Sequence, residues 1–150
     1  MIYNRTNFDV TESKRIRNEI IKNGISPSAS EIETLERGTV GIETLNRIEN
    51  KQTELKEKCN KLGYWNVNIT NKTWDYTDVF DTTEFDRLIN NVAMLRSGFL
   101  VFLATPKTPD ALYHYQNFND MEKILFDLDE MSKEITLLFK ECGNFYCGEE

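Results

Sequence analysis

Trp74–Phe102 reads WDYTDVFDTTEFDRLINNVAMLRSGFLVF, and the parsing of this stretch decides the fold. It joins an acidic, aromatic approach to an amphipathic segment and then to the most apolar run of the chain. Asp81, followed three residues later by Glu84, has the spacing of a capping box. In that arrangement the Asp81 side chain accepts from an orphan amide and Glu84 reaches back to the cap amide. Both carboxylates also sit at the positive end of a helix dipole. Phe85, Leu88, Ile89, Val92 and Leu95 then recur at helical spacing, while Asp86, Arg87, Asn90, Asn91 and Arg96 fall mainly on the other side. One face is core and one is wet. Gly98 either ends this helix or interrupts it. Phe99 to Leu103, apolar all round, suits buried helix or buried strand, and helix is the expectation carried forward.

Upstream, the period changes. In Tyr64–Thr70, Trp65, Val67 and Ile69 alternate with Asn66, Asn68 and Thr70, as in a half-buried strand. With a turn near Asn71 and a second short strand over Lys72–Tyr76, this predicts a small β-hairpin near residues 64–76. A lone hairpin is marginal in water, so it is expected to pack on helices or pair with another chain.

Before it, Ile42–Leu62 places Leu45, Ile48, Gln52, Leu55, Cys59 and Leu62 at alternating spacings of three and four, a seam with one polar residue at an inward slot. The seam is too short for a free-standing coiled coil and reads as a bundle helix. Thr6–Asn23 reads as a first helix, capped by Thr6 with Asp9, with Val10, Ile16, Ile20 and Ile21 as a modest apolar face, and closed by Gly24. After Ser26-Pro27-Ser28 a short second helix is expected, with Ser30 and Glu33 at capping-box spacing and Ile32 and Leu35 as anchors before Gly38.

Downstream, Pro106 and Pro109 mark a stiff connector. Phe118, Met121, Leu125, Leu128, Ser132, Ile135, Phe139 and Cys142 then form a second three-four seam, a last helix over about Asn117–Glu141. The expected fold is mainly α: an antiparallel helical bundle of three or four main helices with the small hairpin, in a single helical domain, 1–150, ending in a short tail, 144–150.

Composition bounds what such a domain does. The 150 residues, 39% hydrophobic and 11% aromatic, suffice for one core. A formal net charge of -7 without clustered Lys and Arg argues against nucleic-acid binding. No apolar run approaches a membrane span, so no membrane insertion is expected, and the N-terminus lacks a signal-peptide pattern. The three cysteines read as thiols in a chain made in a cytoplasm. The Asn-x-Thr matches at Asn4, Asn68 and Asn71 read as chance.

No catalytic constellation emerges. His114 is the only histidine and lies between two tyrosines in a loop, poor grounds for a general base. Cys142 and Cys147 lack the second pair that a structural zinc site wants. Asp75, Asp78, Asp81, Glu84 and Asp86 cluster without the turn glycine and final glutamate of an EF-hand, so capping and a solvated face account for them better than a metal does. No phosphate-cradling glycine loop is present. An enzyme is not expected, and neither is a cofactor.

The order of landmarks does resemble a family: the small structural proteins in the tail modules of phages and prophages of Gram-positive bacteria. The resemblance is carried by Arg5-Thr6 with Asp9-Val10, by Thr44-Leu45-Asn46-Arg47-Ile48-Glu49 and by Leu62-Gly63-Tyr64. It continues with Trp74, the acidic connector to Arg87, Asn90 or Asn91, Leu95-Arg96, Pro106 and Pro109, and the ending from Gly143 to Glu149. It covers nearly the whole chain. The short second-helix region and Asn119, where alanine is expected, depart from it.

The resemblance implies a virion component of the tail tip, baseplate or tail-fibre attachment region, made in the host cytoplasm and partnered by other tail proteins or by copies of itself. The alternative it leaves is an assembly factor not retained in the virion. Candidate contact residues are Trp65, Trp74, Tyr76 and Tyr113 as aromatic anchors or core, Trp74 and Phe85 as anchors of the acidic connector, and Arg87 and Arg96 as partners for acidic neighbours.

Overall fold

The computed structural model describes residues 1–63, 67–98, 101–110 and 114–142, with side chains as far as residue 138. The described residues contain five helices: α1 (Asn7–Asn23), α2 (Ala29–Gly38), α3 (Ile42–Lys61), α4 (Thr82–Gly98) and α5 (Tyr115–Cys142). The mainly helical expectation is met, as a bundle with an added arm.

Local chemistry sets the helix ends. Thr6 accepts from Asp9 N at 3.2 Å and Asp9 accepts from Thr6 N at 2.7 Å, the capping box read from the sequence. Gly24 closes α1 with φ 60°, the left-handed conformation that glycine adopts without steric cost. For α2 the box is Ser28 with Glu31, not Ser30 with Glu33. Two boxes of equal spacing overlap there, and the first starts the helix immediately after Pro27, where the chain cannot already be helical in the residue before the proline. At α4, Asp81 accepts from Glu84 N at 3.0 Å as expected, but the Glu84 carboxylate turns to Arg87.

α1 and α2 pack on one another as an antiparallel hairpin, the arm. Ser13 Oγ donates to Thr34 O at 2.7 Å, and Arg37 near the end of α2 faces Asp9 near the start of α1 at 3.4 Å. Gly38 makes the close approach feasible, since a Cβ there would lie 1.9 Å from Ser13 Oγ and 2.1 Å from Asp9 O.

The bundle consists of α3, α4 and α5, each packed on the other two. Its seams follow those read in the sequence as far as Ser132: Leu45, Ile48, Leu55 and Cys59 of α3 meet Phe85, Leu88, Val92 and Leu95 of α4 and Phe118, Met121, Leu125 and Leu128 of α5 in one buried cluster. Ile135 is half-buried, and the Phe139 and Cys142 side chains lie outside the described ones. Burying side chains of this size contributes roughly 1.5–3 kcal/mol each.

The three helices run parallel, against the antiparallel expectation. Residues that meet across them advance together: Glu49 meets Arg87 and Gln52 meets Asn91, Arg47 meets Glu122 and Lys58 meets Asp129, and Phe85 stacks on Phe118 near both helix starts. Long returning connections, 62–81 and 99–114, make this order possible, because each carries the chain back to the end it left.

The small β-hairpin is also corrected. Among the described residues there is no strand, and Tyr64, Trp65 and Asn66 lie outside them. The alternation itself is real: Val67 and Ile69 are buried while Asn68 and Thr70 face out. The segment is a single strap lying antiparallel on α3. Ile69 meets Lys56, Asn71 meets Glu49 and Thr53, and Trp74 meets Asn46. Five strap residues therefore follow ten residues of helix, about 15 Å at 1.5 Å per residue, which requires an extended backbone. It forms no ladder because helix side chains, not a second strand, take its carbonyls. Finally, α4 stops at Gly98, and Val101 to Leu103 are not helical; Leu103 is fully exposed. Phe99 and Leu100 lie outside the described residues, as does the tail 144–150.

Candidate functional site

The polar residues inside the bundle form one cross-linked framework around the strap. Asn46 grips Trp74 on both sides of its backbone, accepting from its N–H at 2.8 Å and donating to its carbonyl at 3.0 Å. One turn on, Glu49 accepts from the Trp74 indole at 3.1 Å and pairs with Arg87. Arg87 also donates to Glu84 at 2.8 Å and to Thr70 O at 2.6 Å. Burial alone lowers a guanidinium's affinity for its proton, but the bonds from Glu49 and Glu84 more than offset it and the Arg87 pKa is raised. One turn further, Gln52 donates to Leu88 O at 3.2 Å and accepts from Asn91 at 2.9 Å, and Asn91 also donates to Thr70 O at 2.8 Å. The inward Gln52 of the α3 seam is thus a register pin between α3 and α4.

Two further clusters tie other elements to α5. Glu122, fully buried, accepts from Arg5 at 2.7 Å, from Arg47 at 2.8 Å and from Ile2 N at 3.1 Å, so residues 1–6 are strapped to α5 as well. Asp129 faces Lys58 at 2.5 Å and both Lys51 and Lys133 at 3.0 Å. Burial pushes its carboxyl up, yet the hydrogen bonds of three ammonium groups outweigh that and hold it well below the usual carboxylate range.

These arrangements bind the elements of the fold to one another. Burial pushes the Cys59 thiol up to about 11, so it stays protonated and packs as a small apolar group. His114 Nδ1 accepts from Gln116 N at 3.3 Å, which engages the imidazole in starting α5. Among the described residues no group of three His, Cys, Asp or Glu is placed to hold a metal ion, and no helix is long and apolar enough to cross a membrane.

The sequence candidates separate accordingly. Trp74 and Phe85, 3% and 1% exposed, are core: they anchor the connector through a chain of rings in which Phe80 meets Trp74 at 5.5 Å and Phe85 meets Phe118 at 5.3 Å. Arg87 pairs with acidic neighbours of its own chain. Arg96 donates to Pro106 O at 3.1 Å and so fastens the second returning connection. Tyr76 alone of the described candidates stands free at the surface, 89% exposed. Trp65 and Tyr113 lie outside the described residues.

Open clefts flank the bundle among the described residues. One, about 410 Å³, lies where the arm joins the bundle and is lined by Val10, Lys14, Val40, Phe80, His114, Tyr115 and Phe118. It gathers the starting ends of α3, α4 and α5. A second, about 290 Å³, lies between α2 and the start of α3, and a third, about 310 Å³, lies over Lys58, Lys133 and Leu137.

Sequence reasoning did not single out Phe8, Ile25 and Val79, and it counted Ile21 on the apolar face of the first helix and Leu103 in a buried run, yet all five stand exposed. For Ile21 a signal exists: Lys14, Arg17 and Ile21 follow one helical stripe, adjacent to the Ser13–Ile16 face that α2 covers. Compared with known proteins, the chain matches no protein-family model, no curated protein and no solved structure.

Proposed function

We propose that this chain is a structural component of a phage tail, at the tail tip, baseplate or tail-fibre attachment region, acting through contacts with other tail proteins. The supporting observation is where the landmarks of the resemblance fall. Arg5, Asn46, Arg47, Glu49, Trp74, Arg87 and Arg96 each bond across elements, so these residues of the resemblance are among those that hold this framework together. A scaffold of cross-element hydrogen bonds around an apolar core suits a part that holds its shape while neighbours bind its outside.

Quantitative mass spectrometry of purified particles from the source strain tests this, scaling the chain's peptides to those of a major tail protein. A constant count at a small multiple of three or six supports a place in the tail. Presence in the lysate and absence from particles overturns it and makes the chain an assembly factor.

A further inference from the structure

The surface carries two patches of opposite character, each exposed and each held in a fixed shape. On the arm, Lys14, Arg17 and Ile21 lie along one stripe of α1, with the exposed Ile25 beyond the helix end; Ile21 is 72% exposed. Neither Lys14 nor Arg17 has an ion-pair partner among the described residues, whereas neighbouring Arg15 is held between Glu12 and Glu19. Before α4, the turn Asp75-Tyr76-Thr77-Asp78-Val79 presents Tyr76 and Val79, 89% and 75% exposed, beside two carboxylates, of which Asp78 pairs with Lys72 at 2.7 Å and Asp75 has no ion-pair partner among the described residues. This turn is locked by its own bonds. Asp75 N donates to Asp78 Oδ2 at 2.8 Å, Thr77 N donates to Asp75 Oδ1 at 2.7 Å, and Asp78 N donates to Asp75 O at 3.2 Å. The backbone that carries both side chains is therefore set before any partner arrives, which lowers the entropy lost on docking.

We propose that copies of this chain associate head to tail, the basic, isoleucine-edged stripe of one arm seating on the acidic, tyrosine-bearing turn of the next. The charges complement: Lys14 and Arg17, without ion-pair partners among the described residues, meet Asp75, while Ile21 and Ile25 cover Tyr76 and Val79. A tyrosine flanked by an aliphatic and a rim of charge is the composition of an interface centre, and the opposite charges favour a second copy over a neutral apolar partner. The two patches differ, so the contact is heterologous and grows into a ring or a chain. This inference stands on the surface chemistry of the chain and not on the phage reading.

Sedimentation velocity of the full chain tests it. In about 0.05 M salt the weight-average mass rises with concentration above the 17.6 kDa of one copy, and about 0.5 M salt weakens association about tenfold. Variants R17E/I21D and Y76A/V79D each weaken it tenfold or more, and because they change exposed residues both melt within a few degrees of wild type. Mixed, they form a one-to-one pair and stop there, since each retains one working patch. A wild type that stays monomeric in low salt overturns the proposal, as does association unaffected by either variant or a mixture that does not pair. None of these outcomes depends on whether the chain is found in particles.

Discussion

Trp74 shows how much one residue reveals about what this chain does. Its ring is buried among Phe80 and the Glu49–Arg87 pair, and both its backbone groups are held by Asn46. Trp74→Ala should cost about 3–5 kcal/mol in urea denaturation, as expected for a large buried aromatic. A variant of unchanged stability that fails only in assembly would place the ring at an interface instead.

Asp129 gives the pH dependence. Its carboxyl binds protons more weakly in the folded chain than in the unfolded one, where it titrates near 3.9. The unfolded state then binds more protons as the solution is acidified, so the stabilisation is present above about pH 4 and is lost as pH falls through the depressed folded value. Asp129→Asn should lower stability at pH 7 by about 1–3 kcal/mol and flatten the fall between about pH 4 and 2. Denaturation curves for both proteins across that range decide it; parallel curves would contradict the assignment. At this scale the sequence was informative about caps and seams: Thr6 with Asp9, Gly24, and the inward Gln52 are where spacing put them. The Lys133 contact of Asp129 is an i,i+4 spacing within α5, but the sequence was silent about the other two lysines, because Lys51 and Lys58 reach Asp129 only once α3 and α5 are parallel and in register.

The elements were misjudged in two instructive ways. Alternation at Val67 and Ile69 correctly reports an extended segment with one buried face, but the same pattern serves a strand in a sheet and a strap on helices. What distinguishes them here is the supply of donors on the helices: Asn46, Lys56, Arg87 and Asn91 take the strap carbonyls that a second strand would have taken. Helix direction was misread because seam spacing is the same for parallel and antiparallel neighbours. The long connections 62–81 and 99–114 were the legible clue, since antiparallel neighbours need only a few residues between them.

The arm depends on a different device, the contact of Gly38 with Ser13 and the Asp9 carbonyl. Gly38→Ala forces overlap with backbone as well as side chain, so α1 and α2 must separate. The expected cost is about 1–3 kcal/mol, confined to the arm. Limited proteolysis should then cut within 24–28 faster than in wild type while bundle cleavage is unchanged. Equal cleavage at 24–28 would show that the helices do not meet as described.

As a whole, the molecule combines a stiff parallel bundle with an arm that is built separately. Burial is concentrated in α3, α4 and α5; α1 buries only Ser13 and Ile16, and α2 buries none of its residues. Such a division suits a part that keeps its shape and reaches for neighbours, which both the tail reading and self-association require. It also has a direct thermodynamic signature, because elements with few buried contacts open locally while a shared core opens only with global unfolding. Native-state hydrogen exchange in rising, sub-denaturing urea is the measurement to make. The account predicts that the slowest amides of α3, α4 and α5 share one steep, global dependence on denaturant, and that those of α1 and α2 exchange at lower free energy with little dependence. A single dependence covering all five helices would contradict it, and the arm would then be part of the core.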